Sequence, residues 1–147
     1  MIQVNRILCA VDFSEHSEKV AEYAETLAKC MTAEVVVFYA APTLEHYAGF
    51  DVPASKLNAL VGDIAEGARK SMEEFMSRHF KDVSARSHVT TGYPSDEILH
   101  AARDFDCDII VIGSHGRTGL NRIIFGSVAE KVVKSAPCPV FTVRPRS

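Results

Sequence analysis

The sequence predicts an α/β fold, a doubly wound open parallel sheet of five strands with helices on both faces. Two observations lead there. Short apolar runs of strand length recur at 6–11 (RILCAV), 34–41 (EVVVFYAA) and 108–112 (DIIVI), apolar throughout rather than alternating, as strands buried on both faces are. Between the strands lie stretches with apolar residues at helical spacing, so the order reads β-α-β-α-β-α-β-loop-α-β. Strict alternation implies right-handed crossovers and a parallel sheet.

Taken in order, strand one ends at Asp12-Phe13-Ser14. Ser14 followed by Glu15 reads as a helix N-cap with an acid in the first turn. The first helix then runs to about Met31, with Val20, Ala24, Leu27, Ala28 and Met31 on one stripe and Glu18, Glu22, Glu25 and Lys29 off it. Strand two is 34–41. The segment 42–54 carries Gly49, Pro53, Tyr47 and Phe50 and is too polar and broken for a core element, so it reads as a loop over one sheet edge. Its aromatics suit loop packing or a partner better than a ligand.

A second helix spans about 55–79, with Leu57, Leu60, Val61, Ile64, Ala68, Phe75 and Met76 on its apolar face. Gly62 and Gly67 weaken it, each by up to ~1 kcal/mol relative to Ala. Residues 83–90 alternate, as a half-buried strand near a sheet edge does. Gly92-Tyr93-Pro94 makes a turn and Pro94 takes the first helical position, with Asp96 and Glu97 complementing the helix dipole. That third helix reaches about Arg103. Strand four (108–112), a glycine- and cation-bearing loop and helix four (127–135) follow. Pro137-Cys138-Pro139 stops the helix, and Val140–Val143 is the last strand.

Composition narrows the functional classes. The chain has 147 residues, 47% apolar and 24% charged, which suits one globular domain over 1–147. A net charge of −3 without a Lys/Arg block argues against a nucleic-acid surface. No apolar run approaches the ~18–20 residues of a membrane span. The start of the chain lacks a signal-peptide pattern, so the expected address is cytoplasmic. Cys9, Cys30, Cys107 and Cys138 form no CxxC pair; Cys9, Cys107 and Cys138 sit in or beside apolar strand runs and read as buried reduced thiols. The histidines are scattered, which disfavours a protein-built zinc site.

The chemistry concentrates in 108–134 (DIIVIGSHGRTGLNRIIFGSVAEKVVK). A buried strand breaks at Gly113, a loop follows, and Gly126-Ser127 opens a helix. Gly113, Gly116, Gly126 and Ser127 fit G-x2-G-x9-G-[ST]. Glycines let backbone amides close on a ligand, and bare amides with a hydroxyl at a helix start suit phosphate oxygens. His115 and Arg117 can add hydrogen bonds or charge. The spacing matches neither the GxxxxGK[ST] loop nor GxGxxG between strand and helix. A purely structural alternative stands beside this: Ser127 with Glu130 spells a capping box, so Ser127 can simply cap its helix. Asp12, at the end of strand one, can accept from a ribose hydroxyl or base amino group, or share a turn with Ser14.

RILCAVDFSEHS, Gly92-Tyr93-Pro94, DIIVIGSHGRTGL, GSVAEKVV and CPVFTVRP together resemble the universal stress protein family over essentially the whole chain. The G-x2-G-x9-G-[ST] signature resembles that of its ATP-binding branch; the branch typified by universal stress protein A lacks it. The resemblance implies a Rossmann-like, adenine nucleotide alpha hydrolase-like fold that binds ATP, or AMP or ADP. It would place Ala10, Val11, Asp12 and Ala40 at the adenine and ribose end. Gly113, His115, Gly116 and Arg117 would hold ribose and α-phosphate, and Gly126, Ser127 and Val128 the outer phosphates. Relatives usually carry Val or a similar residue where Ala40 stands, and a backbone contact there tolerates the change. Mg or Mn would come with the phosphates. The family also forms homodimers, commonly through the last strand. Val140–Val143 supports this independently, because a short apolar edge strand needs covering.

No nucleophile, base and orienting group assemble from spacing, and the SGGxDS-type loop of adenylating relatives is replaced by Asp12-Phe13-Ser14. The reading is a nucleotide-responsive stress or signalling module acting on an unknown protein partner. A weak ATPase or nucleotidyl-transfer enzyme, and a nucleotide-free partner-binding dimer, are the alternatives.

Overall fold

The computed structural model describes residues 1–41, 43, 53–115 and 126–145. Its elements are β1 (Arg6–Ala10), α1 (His16–Met31), β2 (Glu34–Ala41), α2 (Ala54–Arg78), β3 (Ala85–Thr91), α3 (Pro94–Asp104), β4 (Ile109–Gly113), α4 (Ser127–Ser135) and β5 (Val140–Val143). The five strands form one sheet in the order β3-β2-β1-β4-β5, and every pairing is parallel. From β1 the chain winds outward to β2 and β3, then returns to β4 on the other side of β1. That reversal parts the segments leaving β1 and β4 and opens a crevice at their carboxyl ends.

The apolar strand runs are explained by cover on both faces. Along β1, Ile7 and Cys9 join Val35, Val37 and Val111 under α1 and α2, where Ala24, Met72 and Phe75 meet them. Leu8 and Ala10 point the other way, with Phe38, Ile110 and Ile112, against Ile98 and Ala102 of α3 and Val132 of α4. β3 lies at the sheet edge with a largely exposed pattern, as its alternating sequence predicts. None of the described helices is long and apolar enough to cross a membrane.

Several local expectations change. Ser14 does not cap α1: both its amide and its hydroxyl donate to Asp12 Oδ1, and the residue flanking the helix is Glu15, without a side-chain cap bond. A charged acceptor two residues back outcompetes the helix amides for that hydroxyl. Phe13, between them, adopts a left-handed conformation (φ 60°), its ring packed 4.5 Å from Tyr39 and 5.9 Å from Phe75. Met31 is 39% exposed rather than part of the buried stripe, and Ala21 takes a core position. In α2 burial concentrates in the second half: Leu60 is exposed, whereas Ala68, Met72 and Phe75 are in the core.

The thiols divide as the sequence suggests. Cys9 and Cys107 are buried, Cys138 is half-buried and Cys30 is exposed, and all are free. Burial pushes the Cys9 thiol far above its ordinary range and Cys107 up to about 12.

Candidate functional site

The crevice between β1 and β4 contains a cavity of about 230 Å³. Ala10, Val11 and Asp12 line it from β1, and Ile112, Gly113, Ser114 and His115 from β4 and its exit. His16, Ser17 and Val20 of α1, Pro94 and Ile98 of α3, and Gly126, Ser127, Val128 and Ala129 at the start of α4 complete it.

Asp12 sits where β1 ends and the chain turns into α1. Its Oδ1 accepts from the Ser14 amide (2.9 Å), the Ser14 hydroxyl and the Ser17 hydroxyl (2.9 Å). The Asp12 amide donates to Ser17 Oγ at 3.0 Å. Among the described residues no hydrogen bond reaches Oδ2, so one oxygen is fixed and the other has no described partner. The turn role shared with Ser14 is therefore present, and it orients the carboxylate.

At the facing side the capping alternative for Ser127 is corrected. Gly126 is the flanking residue of α4, in an extended conformation without a side-chain cap bond, and Ser127 is the first helical residue. The Glu130 amide bonds Gly126 O at 2.9 Å, while its carboxylate pairs with Lys134 at 2.8 Å instead of reaching back. A lysine one turn on is the stronger partner for that acid. The amides of Ser127, Val128 and Ala129 precede the first intrahelical bond and have no hydrogen-bond partner among the described residues, at the positive end of the helix dipole.

His115 is 8% exposed. Its Nδ1 lies 3.0 Å from Ser114 Oγ, and its Nε2 is buried with no hydrogen-bond partner among the described residues. Gly113 admits the close path of the chain here, since a Cβ would stand 3.2 Å from His115 O and 3.4 Å from Val20 Cγ2. The titratable groups among these lining residues are Asp12, His16 and His115. Positive potential on these walls therefore comes from helix starts, not from a described lysine or arginine.

Of the residues singled out in the sequence, Ala10, Val11, Asp12, Gly113, His115, Gly126, Ser127 and Val128 share this one cavity. Ala40 is not among its lining residues; it lies buried in β2, opposite Thr90, within the apolar cluster under α3 and α4. Gly116, Arg117, Tyr47 and Phe50 fall outside the described residues. Sequence reasoning missed His16, Ser17, Pro94 and Ser114. Ser17 was in principle legible, because a hydroxyl in the first helical turn after a strand-end acid can fold back onto it. Ser114 occupies a variable slot of the glycine pattern and carries no signal of its own.

Comparison with known proteins agrees with this fold. Residues 3–144 match the model of the universal stress protein family. Universal stress protein MJ0531 of Methanocaldococcus jannaschii is 32% identical over 141 residues, covering 95% of this chain and 81% of the relative. Universal stress protein MJ0577 of the same organism is 29% identical over 157 residues, covering 97% and 96%. The solved structure of MJ0577 superposes with a TM-score of 0.86 at 28% identity, covering 99% of each chain. The structure of the Archaeoglobus fulgidus universal stress protein in complex with dAMP shares the fold at 23% identity, with a TM-score of 0.57 and coverage of 97% and 98%. The chain belongs to the universal stress protein family.

Proposed function

We propose that this chain binds ATP, or AMP or ADP, across the crevice between β1 and β4 and serves as a nucleotide-responsive homodimer in a stress or signalling role. One observation carries the reading. A single cavity is lined by Asp12, whose Oδ2 has no described partner, by the buried His115 and by the first residues of α4, whose amides have no described partner. These are an acceptor for ribose or base donors and a set of donors for phosphate oxygens. A relative of the same fold is a complex with dAMP, which supports the ligand class; the assignment of residues to parts of the nucleotide follows the family resemblance.

In this reading Ala10, Val11 and Asp12 take the adenine and ribose, with Ala40 contributing backbone from the next strand. Gly113 and His115, together with Gly116 and Arg117, hold ribose and α-phosphate, and Gly126, Ser127 and Val128 take the outer phosphates. Among the described residues no three His, Cys, Asp or Glu converge to hold a metal ion, so Mg or Mn would ride on the phosphates. Binding rather than turnover is the role. The Asp12 Oδ1 is held by three donors, which orients the carboxylate as a fixed acceptor. The dimer forms through β5, whose outer edge has no neighbouring strand among the described residues.

Mass spectrometry of small molecules released from the purified protein tests the reading, with thermal shift on adding ATP and Mg. The expected result is an adenine nucleotide, or a raised melting temperature that Gly126→Val abolishes. A protein that releases no nucleotide and whose melting ignores ATP, ADP and AMP would refute it.

A further inference from the structure

We propose that Cys107 and Cys138 are a redox pair, joined by an oxidant of the peroxide class into a disulfide that staples the entry of β4 to the entry of β5.

Neither thiol lies in a strand; each sits just ahead of one, at the amino end of the sheet and away from the cavity. The β4–β5 register pairs Ile110 with Val140, and the Ile110 amide donates to Pro139 O at 3.0 Å. Carried two residues back, that register sets Cys138 beside Asp108, with Cys107 as its diagonal neighbour. Strands about 4.8 Å apart, rising about 3.3 Å per residue, place such Cα atoms about 6 Å apart. A disulfide spans Cα separations of about 4.4–6.8 Å.

Strand alternation alone would turn Cys107 away from Cys138, but the chain is not yet extended there. Asp106 is left-handed (φ 52°), and the Cys107 amide folds back on Ala102 O at 2.9 Å. Cys107 is thereby buried, 7% exposed, in the apolar cluster beneath α3 and α4, and Cys138 packs against that same cluster. The two thiols also sense each other: after burial, a charge on Cys138 is the largest influence raising the Cys107 thiol.

Their burial assigns the order of events. Cys138 is half-buried and Cys107 buried, so peroxide meets Cys138 first. The Cys138 sulfur attacks the peroxide, the O–O bond breaks, and a sulfenic acid and one water form. The Cys107 sulfur then attacks the sulfenic sulfur, and the departing hydroxide takes the thiol proton to leave as a second water. One peroxide accepts two electrons, and the two sulfurs give up one each. Burial pushes both thiols above their ordinary range, so thiolate is scarce and the pair stays reduced until oxidant is in excess. Once formed, the bond closes a loop containing β4 and α4, which restricts the unfolded chain more than the folded one.

The test uses the full chain carrying Cys30→Ser, which removes the exposed thiol through which two copies could cross-link. Folded protein is treated with a molar excess of hydrogen peroxide, quenched, unfolded in N-ethylmaleimide and weighed intact. The expected product takes up two fewer maleimides than the untreated protein and yields a linked Cys107–Cys138 peptide on non-reducing digestion. Dithiothreitol should restore the reduced mass, and the linked form should melt roughly 5–10 °C higher. Cys138→Ser should leave Cys107 reduced under the same treatment, whereas Cys107→Ser should collect oxygen adducts on Cys138 without a link. Oxygen adducts without a link in the parent protein overturn the proposal, as do a mass unmoved by peroxide and a link that involves Cys9. A linked protein that melts no higher overturns the staple.

Discussion

Asp12 and Ser17 are hydrogen-bonded to each other twice: the Asp12 amide donates to Ser17 Oγ at 3.0 Å, and Ser17 Oγ donates to Asp12 Oδ1 at 2.9 Å. The reciprocal pair closes the turn between β1 and α1 and fixes the carboxylate at the cavity wall. Ser17 is 2% exposed, so water cannot replace it cheaply. Ser17→Ala removes both bonds and leaves a buried amide unmet, at a cost of about 1–3 kcal/mol. Thermal unfolding should show a melting point lowered by roughly 2–4 °C per kcal/mol for a chain of this size. Nucleotide affinity should fall with it, because the Asp12 rotamer loses its brace. Unchanged melting and unchanged affinity would mean that the turn holds Asp12 by other means.

Three described glycines, Gly62, Gly67 and Gly92, have opposite expected responses to alanine. Gly62 and Gly67 stand inside α2 and a Cβ at either would meet nothing within 4 Å. Replacing them removes backbone freedom from the unfolded chain without a clash. Each Gly→Ala change should stabilise by roughly 0.5–1 kcal/mol in urea unfolding. Gly92 is the contrary case. Its φ is +147°, its amide bonds Ala41 O at 3.0 Å, and a Cβ would lie 2.6 Å from Glu97 Oε1. The Glu97 carboxyl can swing away, but the backbone angle cannot be kept without strain. Gly92→Ala should destabilise by about 1–3 kcal/mol. If all three variants shift the unfolding midpoint in one direction, this division is wrong.

Much of the fold was legible because local signals and burial agree. β2, α4 and β5 begin and end at the expected residues, Glu34–Ala41, Ser127–Ser135 and Val140–Val143. A β-branched run defines the first, Gly126 and the Pro137-Cys138-Pro139 stop bound the second, and Pro145 follows the third. Legibility failed where two partners compete for one group. Ser14 has the chemistry of a helix cap, but Asp12 takes its hydroxyl. Ser127 with Glu130 spells a capping box, but Lys134 takes the acid and Gly126 the flanking position. The cavity was found from its glycines and strand ends, since these obey topology. His16 and Pro94 join it only through the packing angles of α1 and α3, which sequence spacing does not encode. Ala40, at the carboxyl end of a central strand, is not among the residues that line the cavity.

Cys107 gives the protein a weakness in alkali. Burial first, and the nearby Cys138 second, raise its thiol from an ordinary 9.0 to about 12. Between those values the unfolded thiol loses its proton while the folded one keeps it. The folded state then binds more protons, so stability falls as pH rises. The contribution is fully present below about 9 and is lost as pH climbs through about 12. Burial shifts Cys9 in the same direction, so the two thiols add. Unfolding free energies measured from pH 8 upward should decline less steeply in Cys107→Ala than in the wild type. Parallel curves would show that Cys107 is not the group responsible.

The last strand carries the assembly prediction. Among the described residues β5 pairs with β4 alone, so no described strand covers its outer edge. Along it Val143 is buried at 4%, whereas Phe141 is 38% exposed, its ring 5.7 Å from Tyr23, itself 37% exposed. Val133 of α4 adds another exposed apolar side chain, at 47%. An open edge flanked by apolar side chains invites pairing, and a two-fold axis beside β5 would let two copies meet both needs at once. Phe141→Asp puts a charge into that contact without touching the buried Val143. Sedimentation velocity should give a dimer for the wild type and a monomer for Phe141→Asp, with unchanged far-UV circular dichroism. A monomeric wild type removes the dimer altogether. A dimeric Phe141→Asp protein with native dichroism places the interface on another face.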